Sequence, residues 1–227
     1  MKQELNHLAI IMDGNARWAE AHGKTKAEGH KKGAETAKTL LPAAAKMGIK
    51  YLTLYAFSSE NWQRPADEVS ILINLLSYYV KNETKILNEN GIKLKVIGNL
   101  DKLSTNLQEK IAKAVDATKD NNKMTATIAF GYGGRDEILQ ACQKALDSDV
   151  QNITEEQFKS FLYDPEMPDV DLLIRPSGLY RISNFLLWQI AYAELYFSEK
   201  FWPDFNEQEL QAAITDYSNR TRSFGGR

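Results

Sequence analysis

Cysteine is almost absent: the 227-residue chain carries one, Cys142. A single thiol excludes a disulfide framework and a cysteine-ligated metal cluster. Cys142 falls in an expected helix and reads as a small buried hydrophobe. Strong charge of either sign is missing too, since the formal net charge is −2. The chain as a whole therefore has no pull toward nucleic acid or an anionic membrane surface, and any anion site is local. No run approaches the roughly 18 apolar residues of a spanning helix. The stretch MKQELNHLAI holds no signal-peptide core. The expectation is a cytoplasmic protein with at most peripheral membrane contact. No GxxxxGK[ST] loop occurs, and Gly131–Asp136 (GYGGRD) departs from GxGxxG because Asp136 stands at the last glycine. A P-loop or classical dinucleotide site is therefore disfavoured. Internal repeats, low-complexity segments and linkers are likewise missing.

What is present is the material of one ordinary soluble domain, 43% hydrophobic and 26% charged. Its organising stretch is His7–Ala19, HLAIIMDGNARWA. An apolar run from Leu8 to Met12 breaks into Asp13-Gly14-Asn15, and Arg17-Trp18 follow. An apolar run bounded by turn residues reads as a buried strand. Gly takes backbone angles that other residues avoid and Asn tolerates them, so the turn is sharp. Helix formers then run from Ala16 to Ala21. Strand, tight turn and helix start bring a carboxylate, free N–H groups, an amide and a guanidinium to a strand's carboxyl end. Ligands bind there in open α/β sheets, and a helix start beside Arg favours a phosphate. Asp13 would repel that phosphate unless a cation such as Mg²⁺ stood between them. The bland alternative is a mere turn with a capping aspartate.

Similar strand ends recur. A basic loop, Gly23–Gly33, precedes a helix expected over Lys31–Met47. A strand over Lys50–Phe57 runs into Ser58-Ser59-Glu60-Asn61-Trp62-Gln63-Arg64-Pro65, a loop dense in hydrogen-bonding groups. Asp67–Glu89 reads as one long helix with broad apolar coverage, suited to core or to the wall of a groove. Strands follow at Lys93–Ile97 and Met124–Phe130, with helices over Leu103–Asp120 and from the Gly-rich turn to Leu146. Thr154–Gln157 is a capping box. A strand at Asp171–Ile174 delivers Arg175, and Arg181 and Ser183 come soon after; Arg forks match phosphate oxygens. Phe185–Ala191 reads as a buried helix, Glu194–Phe197 as a last strand, and Asn206–Arg222 as a final helix. Glu194 sits among apolar neighbours, where a carboxylate needs a cationic partner or a metal. Strands alternating with helices predict an α/β fold: a single domain, residues 1–227, with a central, mostly parallel sheet of about six strands flanked by helices.

Five blocks, HLAIIMDGNARWA, GHKKGA, LTLYAFSSENWQRP, YGGRDEI and RISNFLLWQIAYAELYFSEKFWPDF, together resemble the cis-prenyltransferase family, and within it the bacterial undecaprenyl diphosphate synthases. They span nearly the whole chain. The resemblance implies an α/β domain with a hydrophobic tunnel, a homodimer and Mg²⁺. It implies condensation of isopentenyl diphosphate with an allylic diphosphate such as farnesyl diphosphate, to give a long polyprenyl diphosphate. It makes Asp13 the catalytic, Mg²⁺-engaging aspartate and Asn61 the proposed proton acceptor. Gly14, Asn15, Ala16, Arg17 and Trp18 would hold the allylic diphosphate with Lys26 and His30. Ser58, Ser59, Glu60, Trp62 and Arg64 would line the same cleft. Arg175, Arg181, Ile182 and Ser183 would take the isopentenyl diphosphate. Glu194 would complete the metal site across the dimer interface. Arg222–Gly226 resembles a tail reaching the partner's site. Three departures stand out: Lys26 replaces an Arg, Gly131 replaces an Asn, and Leu179 in Pro176–Tyr180 replaces a carboxylate. Two alternatives share the fold: a non-catalytic partner subunit, and a prenyl-coupling enzyme with a short or irregular product.

Overall fold

Runs of Leu, Ile, Tyr and Ala form strands here because both faces of each strand meet helices. The computed structural model describes residues 4–148, 150 and 152–221. The strands are β1 (His7–Ile11), β2 (Tyr51–Ser58), β3 (Ile92–Ile97), β4 (Met124–Tyr132), β5 (Leu172–Arg175) and β6 (Glu194–Phe197). The helices are α1 (Asn15–Ala21), α2 (Lys26–Lys46), α3 (Ala66–Asn82), α4 (Thr84–Glu89), α5 (Thr105–Thr118), α6 (Gly134–Leu146), α7 (Glu155–Ser160) and α8 (Glu207–Ser218). One six-stranded sheet runs in the order β3-β4-β2-β1-β5-β6, and every pairing is parallel. The chain leaves β1 toward β2 on one side and leaves β5 toward β6 on the other. That reversal opens a crevice at the carboxyl ends of β1 and β5, where ligands bind in such sheets.

Alternation along β1 divides the core. Leu8 and Ile10 join the larger cluster, whereas Ala9 and Ile11 join the cluster on the opposite face. A bulge in β2 between Tyr55 and Phe57 breaks this alternation. Phe57 thereby joins Leu52 and Leu54 in the larger cluster while Tyr55 stays with the other. At the amino end of β1, fully buried His7 contacts the Pro168 carbonyl through Nδ1 and Thr53 Oγ1 through Nε2, both at 2.8 Å. Burial outweighs these partners and nearby carboxylates and pushes its pKa down to about 4.

Five expectations change. The helix expected over Asp67–Glu89 breaks at Glu83, which separates α3 from α4. Thr84 Oγ1 donates back to the Val80 carbonyl at 3.2 Å, a bond that bends helices. The basic stretch before Lys31 is helical from Lys26 onward, because Thr25 and Glu28 form a capping box. Phe185–Ala191 forms successive turns, since Ser183, Asn184 and Leu186 take φ of 47°, 60° and 45°. Cys142 is exposed on α6, while its neighbours Ala141 and Ala145 face the core. Asn206 caps α8, which ends at Ser218; Arg222–Gly226 lies outside the described residues.

Candidate active site

The turn after β1 is tight because Gly14 sits at φ 101°, and a Cβ there would come within 2.8 Å of Phe201. It lifts Asp13 into a polar cavity of about 670 Å³. Asp13 Oδ2 accepts a hydrogen bond from Arg175 Nη2 at 2.7 Å, and Arg17 Nη2 lies 3.6 Å away. Asp13 and Arg175 thus join across the crevice between β1 and β5. Burial raises the Asp13 carboxyl, but the hydrogen bond and charge of Arg175, with Ser177 and Arg17, hold it below the usual carboxylate range. It is ionised at neutral pH. Arg175 is itself buried at the end of β5. Its Nη1 donates to Ser183 Oγ at 2.8 Å and to the Arg181 carbonyl, while its Nε is buried without a partner. An arginine expected to grip a ligand is here also the strut between Asp13 and the 181–183 loop.

Arg17 reaches the opposite loop. Its Nη1 donates to the Ser177 carbonyl at 3.0 Å and its Nη2 to Ser177 Oγ at 2.6 Å. Ser177 sits at φ 86°, held by a bond from its N–H to the Lys200 carbonyl at 2.7 Å. Strained residues of this kind persist only where their surroundings over-determine them, commonly at ligand sites. Leu179, from the same loop, lines the cavity where the family resemblance leads one to expect a carboxylate.

The GHKKG block has a geometric reason. A Cβ on Gly29 would lie 2.3 Å from the Asn15 carbonyl, and one on Gly33 would lie 2.1 Å from Asn15 Oδ1. Only glycines let α2 pack this close to the start of α1. His30 is carried on the same helix and buried. Its Nε2 stands 3.4 Å from Glu68 Oε1, and burial lowers its pKa despite that carboxylate. Glu68 also accepts from Arg64 Nη1 at 2.6 Å and pairs with Lys26 at 3.5 Å. Burial raises Glu68, but the charges of Arg64, His30 and Lys26 lower it further. Glu68 therefore gathers three cationic or titratable groups. Sequence reasoning did not single it out, although its spacing of four from Arg64 was a usable signal.

The loop after β2 forms a short turn in which Asn61 Oδ1 accepts from the Ser58 N–H at 3.0 Å. That bond fixes the amide and leaves its Nδ2 donor for a ligand. Glu60 accepts from Asn184 Nδ2 at 2.9 Å. Burial raises Glu60, and Asn184 with the Ser58 and Ser59 hydroxyls brings it below its ordinary value. Asn184 is a second residue the sequence reading missed; it also accepts from the Arg135 N–H at 2.9 Å and so ties three loops together. Its left-handed backbone suits Asn.

Asp13, Gly14, Asn15, Ala16, Arg17, His30, Ser58, Glu60, Asn61, Arg64, Arg175, Arg181 and Ser183 converge on this cavity. Six expected residues do not line it. Trp18 is buried and donates to Asp204 Oδ1 at 2.8 Å. Trp62 packs edge-on to Phe57 and Phe130 with Lys102 over its ring. Ile182 packs against the smaller core cluster. Lys26 reaches the site only through Glu68, and Ser59 lies against Gly133. Glu194 starts β6 and is paired with Arg220 of its own chain at 2.8 Å. It is in register with Leu172, and Leu172 with Leu8. Asp13 lies beyond the other end of β1, about 16 Å further along the strand direction. Glu194 cannot share an ion with Asp13 of the same chain. Among the described residues no group of three or more His, Cys, Asp or Glu could hold a metal.

A second cavity, about 180 Å³ and lined almost wholly by apolar side chains, opens behind the first. Met12, Asn15, His30, Ala56 and Leu72 line both. It runs between α2, α3 and the sheet. Most of the apolar face of α3 is only half-buried for this reason: Leu72, Leu76 and Tyr79 border space rather than core. An anionic head and a hydrocarbon tail fit the two chambers. Among the described residues, no helix is long and apolar enough to cross a membrane.

Comparisons with known proteins agree with this arrangement. A family model described as putative undecaprenyl diphosphate synthase matches residues 11–225. An isoprenyl transferase of Rickettsia sibirica is 59% identical over 223 residues, covering 98% of this chain and 99% of its own. One from Fusobacterium nucleatum is 50% identical over 220 residues, covering 97% and 95%. Lavandulyl diphosphate synthase from Lavandula x intermedia, solved with dimethylallyl diphosphate, superposes with a TM-score of 0.94 at 35% identity over 98% of both chains. A probable undecaprenyl diphosphate synthase from Campylobacter jejuni gives 0.85 at 35% identity, covering 99% of this chain and 100% of that one. Fold, paired cavities and sequence likeness converge, and the chain belongs to the isoprenyl transferase family, the cis-prenyltransferases that resemble undecaprenyl diphosphate synthase.

Proposed function

We propose that the protein elongates an allylic diphosphate, farnesyl diphosphate in the simplest case, by successive condensation with isopentenyl diphosphate, giving a long polyprenyl diphosphate of the undecaprenyl class. Such a product is the lipid-carrier precursor for cell-wall polysaccharide. The observation that carries this reading is the shared wall between the two cavities: a diphosphate beside Asp13 and Arg17 directs its hydrocarbon past His30 and Leu72 into the apolar chamber.

In each cycle the allylic C1–O bond breaks and pyrophosphate leaves with the electron pair. The double bond of isopentenyl diphosphate supplies the electrons of the new C–C bond. A proton then leaves C2 of the added unit as the new double bond forms. Negative charge grows on the leaving group, so Arg17 and the N–H groups at the start of α1 stabilise the transition state more than the ground state. Arg181 and the Arg175–Ser183 unit hold the second diphosphate so that its double bond faces C1. Asn61 orients the added unit; an amide is a weak base, and the proton's destination is a diphosphate oxygen or water it positions.

The donor set suits Mg²⁺. Asp13 is a single ionised carboxylate facing the cavity, and Mg²⁺ commonly takes one or two carboxylates plus substrate phosphates. Asp13 would hold it, and bound there it would supply positive charge against the departing pyrophosphate. Under the family resemblance the protein is a homodimer in which Glu194, too far from Asp13 of its own chain, would serve the metal of the partner's site. Two observations favour a second reading, a coupling enzyme with a short product. Leu179 stands in the polar cavity, and the lavandulyl diphosphate synthase fold superposes well.

Incubation with farnesyl diphosphate, labelled isopentenyl diphosphate and Mg²⁺, followed by separation of products by length, tests the reading. A ladder ending at a long polyprenyl is expected. A single short product selects the second reading, and no incorporation overturns both.

A further inference from the structure

The apolar cavity is not apolar to its end. Away from His30, one ion pair stands in its wall. Lys38 Nζ on α2 donates to Glu83 Oε1 at 2.9 Å. The Glu83 side chain is only 14% exposed, and its other oxygen is buried with no hydrogen-bond partner. A buried carboxylate oxygen without a donor is rare and costly, and each such group calls for an explanation. The pair also stands where the helical wall breaks, because Glu83 separates α3 from α4. Along α2, Lys38 lies about 12 Å beyond His30; along α3, Glu83 lies about 16 Å beyond Leu72. Both helices that flank the cavity are thus tied together far from the reacting end.

We propose that the Lys38–Glu83 pair is the stop that sets how long a hydrocarbon chain the cavity accepts. This rests on reading the cavity as the chain's tunnel. Up to the pair, each added carbon leaves water for apolar neighbours such as Leu76 and Leu41, which is favourable. To pass it, the chain must part Lys38 from Glu83. Lys38 reaches Glu83 from the exposed side of the wall; once it is displaced, both oxygens of the largely buried Glu83 carboxylate are without a donor among apolar neighbours, which is unfavourable. Growth therefore halts where gain turns to loss. A pair that serves only to strap the helices together would affect stability and leave chain length alone.

The test uses straight-chain alkyl diphosphates of increasing length, which bind without reacting. Their affinity for the wild-type protein should rise with length and then level off. In a Lys38→Met/Glu83→Leu double variant the levelling point should move to longer chains by at least five carbons, and the longest elongation product should gain at least one isoprene unit. An unchanged levelling point in a folded double variant overturns the proposal. If circular dichroism shows that variant unfolded, Glu83→Gln keeps the volume and removes the charge. An unchanged limit in Glu83→Gln is equally fatal. Wild-type affinity that never depends on length would sink both the tunnel reading and the stop. Length-dependent binding with no isopentenyl incorporation would sink only the elongation reading.

Discussion

The two cavities share a wall and are built by opposite rules. In the polar one, most lining groups are pinned by a second residue: Asp13 by Arg175, Arg17 by Ser177, Glu60 by Asn184, Arg64 by Glu68. Its residues come from loops at strand ends, several in left-handed backbone. In the apolar one, regular helices and strands present half-buried Leu, Ala and Ile side chains with no polar partner to fix them. The difference follows from what each would hold under the proposed function. Charge developing in a bond-breaking step is stabilised only by groups already in place. A hydrocarbon has no direction to read, and asks only for dry space. Between the chambers stand His30 and Asn15, each with a buried polar atom that has no hydrogen-bond partner, so the boundary is where the protein leaves polar capacity for a ligand.

Removing the centre of the pinned chamber should have the largest effect. Asp13→Ala is expected to lower isopentenyl incorporation by at least about 10³-fold, with the fold retained by circular dichroism. Activity close to wild type would mean that the polar chamber is not where the chemistry occurs.

A control comes from the far end of β1, outside both chambers. His7 has a folded pKa lowered to about 4 from 6.5. The neutral form is favoured in the fold, so its stabilisation is present above pH 6.5 and is lost as pH falls toward 4. The wild type should lose about 3 kcal/mol through this group over that window. His7→Asn should be less stable at pH 8 and should lose less on acidification, as measured by urea unfolding at each pH. Parallel curves for the two proteins would place the acid sensitivity elsewhere.

Glu68 tests whether the pinning matters for ligand affinity. Glu68→Gln keeps the shape and releases Lys26, His30 and Arg64 from one shared charge. Hydrogen bonds to charged groups contribute about 1.5–3 kcal/mol, so KM for the allylic diphosphate should rise about ten-fold or more while kcat changes less. The opposite split, a fall in kcat alone, would move Glu68 into the chemical step.

The smallest effect is expected at Leu179, an apolar residue in the polar chamber. Leu179→Glu should lower the Mg²⁺ concentration needed for half-maximal activity by a few-fold, since it adds a carboxylate donor. An unaltered Mg²⁺ dependence would make the departure from the family pattern neutral.

Much of this could be read from the chain before any coordinates. The Leu8–Met12 run, the alternation of strands with helices, and the loops at Asp13, Ser58 and Arg175 define a parallel α/β sheet with polar, charged strand ends. These features are local: apolar runs, turn residues and caps act within a few positions. Even the early start of α2 lay in plain view as the Thr25–Glu28 capping box, although the run of lysines and glycines around it resembled a loop. What the pattern did not show was where side chains pack. Trp18 and Trp62 belong to matching motifs, yet both are packed away from the cavity by Asp204 and by Phe57 and Phe130. The turns after Ser183 come from left-handed residues that the apolar string FLLWQIA does not announce.

The sequence alone determined the sheet, its strand ends and the chemical types gathered there, because these depend on short-range pattern. Tertiary structure alone decided which of those types meet. Arg175 reached Asp13 because the strand order places β5 beside β1, and Glu194 was carried to the opposite end of the sheet by the register of β6. Space itself was decided last: the same apolar periodicity on α3 suits packed core or open tunnel, and only the distance to its neighbours distinguishes them.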